Sequence, residues 1–160
     1  MITSHRKIET KDVDGKPNGW LLEIVSDRDD ATLHIHGQMY LTVAEPGTFK
    51  GFHLHALADY AVTCIRGKVE EIIYHSQRRK DVIEMGDGDF KTVHLPHGLP
   101  HGIRNIGSEP AYVLIYRWPS WDPNVKEQLD IAPADIEKSE SWDRINAFVA
   151  SFSTSGTPKK

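Results

Sequence analysis

A chain of 160 residues, 39% hydrophobic and 26% charged, supports one globular domain with a core of its own. The formal charge of -4 and the pI near 6.1 exclude a nucleic-acid binder built on clustered Lys and Arg. The one cysteine, Cys64, has no partner for an internal disulfide, and its apolar setting in Ala61-Val62-Thr63-Cys64-Ile65 predicts a buried, inert thiol. The segment from Met1 to Lys7 lacks the apolar stretch of a secretory signal, and no run of about 18 apolar residues occurs; a soluble cytoplasmic protein with no membrane partner is expected.

In chain order, Asp27-Arg28-Asp29-Asp30 predicts a solvated turn. From Met39 to Arg117 the chain then breaks into short β-type runs. These include Met39 to Val43, Ala61 to Ile65, Val69 to Tyr74, Phe90 to Leu95 and Tyr112 to Tyr116. Their punctuation (Pro46-Gly47, Arg66-Gly67, Gly86-Asp87-Gly88, Pro96-His97-Gly98 and Asn105 to Pro110) is rich in residues that accept turn dihedrals. Gly86-Asp87-Gly88-Asp89 is a hairpin signal, too short for a calcium loop. Trp118 and Trp121, near Pro119 and Pro123, are expected to pack at a rim. From Ser141 to Phe152 the residues Trp142, Ile145, Phe148, Val149 and Phe152 recur at helical steps, which predicts an amphipathic C-terminal helix. The expected organisation is one domain over 1–152 and a disordered tail over 153–160.

Histidine carries the chemistry. Five of the nine histidines (His53, His55, His94, His97 and His101) fall in two short stretches. His53 and His55 are two apart, so on a strand both rings face one side while Phe52 and Leu54 face the other. An isolated His-x-His is more often a pair of core or surface histidines than a site; the second stretch, with His101, is what argues for one. His94 and His97 are turn residues expected to be exposed or at a cavity mouth.

The stretch from Gly47 through His53 and His55 to Gly67 resembles the first cupin motif, and Pro96-His97-Gly98-Leu99-Pro100-His101-Gly102-Ile103-Arg104-Asn105 resembles the second. The resemblance implies an all-β fold: a cupin, or jelly-roll, double-stranded β-helix barrel, here with a C-terminal helix. Where metal-binding cupins carry a glutamate this chain has Tyr60, beside Asp59. Within the cupins, Gly37 to Tyr40, Glu45 to His53, Pro96 to Gly102, Ile106 to Tyr112, Ile115-Tyr116-Arg117 and Trp121-Asp122-Pro123 are similar to the RmlC-like, dTDP-4-dehydrorhamnose 3,5-epimerase group.

That resemblance implies an isomerase of carbohydrate biosynthesis, epimerising a dTDP-4-keto-6-deoxyhexose at C3 or at C3 and C5. His53 would be the base, Tyr116 the acid, and His55 an assisting group. Substrate would be bound by Lys50, Tyr60, His101, Arg104 and Arg117, with Asp122 or Asp130 orienting His53. The chemistry suits these residue types: an imidazole with pKa about 6.5 takes a proton beside a carbonyl, and a phenol with pKa about 10 returns one. No cofactor is required in this reading, the partner is a small nucleotide-sugar, and a homodimer is expected.

Three alternatives remain open. In a metal-dependent cupin, His53, His55 and His101 would hold Fe, Mn or Zn, with Asp59 standing in for the missing carboxylate if the strand is bulged. A nucleotide-sugar 3,4-ketoisomerase would use the His-x-His pair as a shuttle. A non-catalytic small-molecule-binding cupin would use the same hollow without chemistry.

Overall fold

The computed structural model describes residues 8–26 and 37–153. The chain runs through eleven strands: β1 (Ile8–Lys11), β2 (Pro17–Ser26), β3 (Gln38–Ala44), β4 (Phe49–His55), β5 (Asp59–Arg66), β6 (Lys68–Ser76), β7 (Arg79–Gly86), β8 (Thr92–Leu95), β9 (His101–Asn105), β10 (Ala111–Trp118) and β11 (Gln128–Asp130). The helix α1 (Ser139–Ser153) follows, longer than the predicted 141–152 by two residues at its start and one at its end. Two antiparallel sheets result, one ordered β1-β2-β3-β10-β5-β8 and the other β11-β4-β9-β6-β7. This is the cupin jelly-roll expected from the motifs.

Period-two alternation decides which side chains face the space between the sheets. Strand β10 turns Ala111, Val113, Ile115 and Arg117 inward and leaves Tyr112, Leu114, Tyr116 and Trp118 on the outer face. Strand β5 turns Tyr60, Val62 and Cys64 inward. From the opposite sheet Val69, Ile73, Met85 and Ile103 close the core against them. Cys64 is fully buried, and burial pushes its thiol pKa up, so it is the inert thiol expected.

The outer face of the second sheet is covered by the helix. Phe52, Leu54 and Tyr74 point away from the barrel and pack with Ile131, Ile136 and Ile145, flanked by Trp142, Phe148 and Val149. The helical stripe read from the sequence is therefore spent on this chain's own sheet.

Several expectations shift in detail. The run predicted to begin at Phe90 begins at Thr92, and Phe90 is 67% exposed. Gly86 and Asp89 form an isolated bridge that closes the predicted hairpin. Trp118 is more than half exposed rather than packed. The predicted turn at 27–30 and the tail beyond Ser153 lie outside the described residues.

Two motif residues prove to be scaffold. The Asn105 amide donates to the carbonyls of Ala44 (2.8 Å) and Glu109 (2.9 Å) and accepts from the Gly107 amide (2.8 Å), pinning the β9–β10 turn. Gly51 has φ +117°, and a Cβ there would lie 2.7 Å from the His101 carbonyl oxygen; only glycine lets β4 approach β9 this closely.

Candidate active site

Strand β4 would alternate regularly and send Lys50 and His53 to opposite faces, because they are three residues apart. A register shift between Gly51 and His53 in the β4–β9 pairing adds the missing residue, so Lys50, His53 and His55 all line one cavity while Phe52 and Leu54 face the helix. His101 at the start of β9 pairs directly with His53. The three rings form one wall, with centroid separations of 4.8 Å (His53–His101), 5.2 Å (His53–His55) and 6.1 Å (His55–His101). The cavity measures about 520 Å³, the size of a small-molecule site. Its opposite wall is the first sheet, presenting Tyr40, Tyr60 and Arg117, and the β1–β2 hairpin contributes Thr10 and Asn18 to its lining.

Two of the histidines are held in known tautomers. His55 Nδ1 lies 2.9 Å from Glu127 Oε1, and His101 Nδ1 lies 3.1 Å from the Leu99 carbonyl oxygen. A carbonyl and a carboxylate only accept, so both Nδ1 atoms donate. Glu127 also accepts from Arg117 Nη2 at 3.0 Å. Burial opposes ionisation of Glu127, but the hydrogen bond from His55 and the Arg117 charge prevail and hold its pKa below the usual carboxylate value. Arg117 stands over the Tyr60 ring, 5.5 Å from its centroid, and donates from Nε to the Pro119 carbonyl.

Burial, reinforced by His101, His55 and Lys50, lowers the pKa of His53 well below 6.5; burial with His55 beside it lowers that of His101 to about 4. Both rings are neutral at physiological pH. Lys50 is buried, donates to Thr10 Oγ1, and is lowered to about 8 by burial, against a smaller opposing effect of Glu45. Burial raises Tyr40 to about 12 and pushes Tyr60 further up, so both phenols stay protonated.

Five of the candidate residues lie elsewhere. Tyr116 faces outward because it alternates with Ile115 and Arg117, which face in; it is 37% exposed and does not line the cavity. Arg104 is likewise on the outer face of β9, paired to Glu70. Asp122 is exposed and accepts from the Asn124 amide in its own turn. Asp59 points out and accepts from both the backbone and Nδ1 of His97, each at 2.8 Å, which leaves Tyr60 facing in. His94 is exposed and outside the cavity. Asp130 does line the cavity and pairs in register with His53, with its Oδ1 taken by the Gln128 amide.

Among the described residues no group of three or more His, Cys, Asp or Glu side chains is disposed to hold a metal ion. The carboxylate beside His55, Glu127, is committed to His55 and Arg117.

Two residues of the site, Tyr40 and Glu127, and a buried acid outside the cavity lining, Glu71, were not read from the sequence. Tyr40 was legible, since it alternates with Thr42 in a β-type run. Glu71 was also legible as an acid within the apolar run Val69 to Tyr74; it is fully buried, with neither carboxyl oxygen hydrogen-bonded, and burial raises its pKa well above 4.5. Glu127 had no local signal, because it reaches His55 from a connection 72 residues away.

A jelly-roll with a histidine wall facing a phenol wall resembles the RmlC-like cupins. The chain belongs to the polysaccharide biosynthesis C-terminal domain family, whose sequence model matches residues 16–129. It is 25% identical over 131 residues to the spore coat polysaccharide biosynthesis protein SpsL of Bacillus subtilis (strain 168), covering 78% of this chain and 86% of that protein. Among solved structures it resembles the capsular polysaccharide assembling protein CapF of Staphylococcus aureus, with a TM-score of 0.65, 20% identity and 79% of this chain covered, though this chain spans only 34% of CapF. NovW, a 4-keto-6-deoxy sugar epimerase from the novobiocin biosynthetic gene cluster of Streptomyces spheroides, matches with a TM-score of 0.55 and 19% identity, covering 84% of this chain and 77% of NovW. At these identities the solved structures establish the fold alone. Among the described residues no helix is long and apolar enough to cross a membrane.

Proposed function

We propose that the protein epimerises a nucleotide-linked 4-keto-6-deoxyhexose, at C3 or at C3 and C5, with His53 as the base. The observation that carries the reading is His53 itself: a neutral imidazole on the wall of a sugar-sized cavity, flanked by two further neutral or hydrogen-bonded imidazoles. A carbon beside a carbonyl surrenders a proton to such a base, and the resulting enolate oxygen requires nearby donors. Tyr60, whose protonated phenol lines the same cavity, supplies one. Lys50 and Lys11 line the cavity too and suit the diphosphate of a dTDP-type substrate. The 4-keto-6-deoxy substrate of NovW and the polysaccharide biosynthesis named for SpsL support the same class.

The test is incubation of dTDP-4-keto-6-deoxyglucose with the protein in heavy water. Deuterium is expected at C3, or at C3 and C5; no incorporation at either carbon would falsify the reading. His53→Ala should lower the exchange rate by about 10²- to 10⁴-fold while leaving the circular dichroism unchanged. A second reading, 3,4-ketoisomerisation, is favoured by one observation, the carboxylate that fixes the His55 tautomer. It predicts a carbonyl moved from C4 to C3 in the same incubation, visible by carbon NMR.

A further inference from the structure

Inverting a carbon requires a proton taken from one face and another delivered to the opposite face, so a base on one wall implies an acid on the other. Tyr116, the acid that the family resemblance suggests, is on the outside of the barrel, and delivery from there would have to pass through the sheet. The acid must come from the first sheet's inner face, where the cavity meets two phenols, Tyr40 on β3 and Tyr60 on β5.

Geometry separates them. The Tyr60 ring packs directly on the histidine wall, 4.7 Å from the His55 centroid and 5.7 Å from that of His101, which leaves no space for a sugar carbon between them. Tyr40 lines the same cavity and makes no ring contact with any of the three histidines, whereas Tyr60 is packed on two of them. Tyr40 sits one pair of strand positions deeper than Tyr60: it is cross-strand from Ile115, whereas Tyr60 is cross-strand from Arg117. Among the described residues its hydroxyl has no hydrogen-bond partner, and Tyr40 lines the cavity. A donor with no protein acceptor, turned into the cavity opposite the base, is available to substrate.

We propose that Tyr40 is the catalytic acid, returning the proton to the face of the substrate carbon opposite His53. The inference rests on the epimerase reading and deepens it. In the first step His53 takes the proton from the carbon beside the carbonyl, and the C–H electron pair becomes the enolate double bond while the carbonyl oxygen takes the charge. In the second step the enolate pair captures the Tyr40 proton on the other face, the O–H bond breaks, and the carbonyl re-forms. The cycle leaves an imidazolium and a phenolate, which transfer one proton through solvent to reset.

The experiment compares Tyr40→Phe, Tyr60→Phe, Tyr116→Phe and wild type in heavy water with a dTDP-4-keto-6-deoxyhexose, scoring deuterium exchange with retention separately from inversion. Tyr40→Phe is expected to lose inversion by about 10²- to 10⁴-fold while exchange at the same carbon continues, because His53 still removes and returns a proton on its own face. A loss from packing alone would lower both together, and unchanged thermal unfolding would show that the fold is intact. Tyr116→Phe is expected to match wild type. Normal inversion by Tyr40→Phe, a parallel fall in its exchange and inversion, or a selective loss of inversion in Tyr116→Phe or Tyr60→Phe instead, would overturn the assignment and leave the epimerase reading standing. A wild-type protein that neither exchanges nor inverts would remove that reading, and this one with it.

Discussion

His101 and His53 make the molecule's stability depend on pH with a predictable sign. Both have folded pKa values below 6.5, so the unfolded chain binds more protons than the folded one as pH falls. Their contribution is complete above about pH 6.5 and is lost as pH drops toward their folded values. For His101 alone, a shift from 6.5 to about 4 corresponds to about 3 kcal/mol. Glu71 acts with the opposite sign: its folded pKa is raised, so its contribution is full below 4.5 and is withdrawn as pH rises. Two imidazole protons outweigh one carboxyl proton between pH 4.5 and 6.5, so urea midpoints should rise across that window and fall above it. Glu71→Leu should abolish the fall and stabilise the protein by about 1–3 kcal/mol at pH 7.5, since it removes an acid whose two oxygens lack partners. A midpoint that dropped on this substitution would show that Glu71 has a stabilising bond. At the same scale, Glu127→Ala leaves Arg117 buried beside His55 without its carboxylate and should destabilise by about 3–5 kcal/mol, measured as the loss in unfolding free energy.

Among the elements, β4 and α1 carry the most consequence. The bulge in β4 places Lys50 and His53 in one cavity, so a change that restored regular pairing would divide them between two faces. The helix secures the back of that same strand through Ile145, which is 2% exposed and packs near Phe52 and Leu54. Ile145→Ala should lower the unfolding free energy by about 2–4 kcal/mol, read by denaturant titration, through the cavity it leaves. The helix was legible because its stripe repeats every three to four residues. The bulge was not, because it is a mismatch between two strands and neither strand's own pattern records it.

Over the whole molecule, two sheets divide the chemistry: imidazoles from the helix-backed sheet and phenols with one arginine from the other. The fold class and the histidine wall could be read from the chain because they are local: strand alternation puts His53 and His55 together, and a second motif only 41 residues beyond Tyr60 supplies His101. What the sequence by itself determined is therefore the jelly-roll, the C-terminal helix, the buried thiol and which side carries the imidazoles. The tertiary structure alone decided the partners of those imidazoles. Strand phase sent Tyr116 and Arg104 outside and Tyr40 and Tyr60 inside, and chain closure delivered Glu127 to His55 from 72 residues away. Phase depends on which neighbour a strand pairs with and where the register slips, and long-range approach depends on the packing of both sheets; neither quantity is written in any short window of residues.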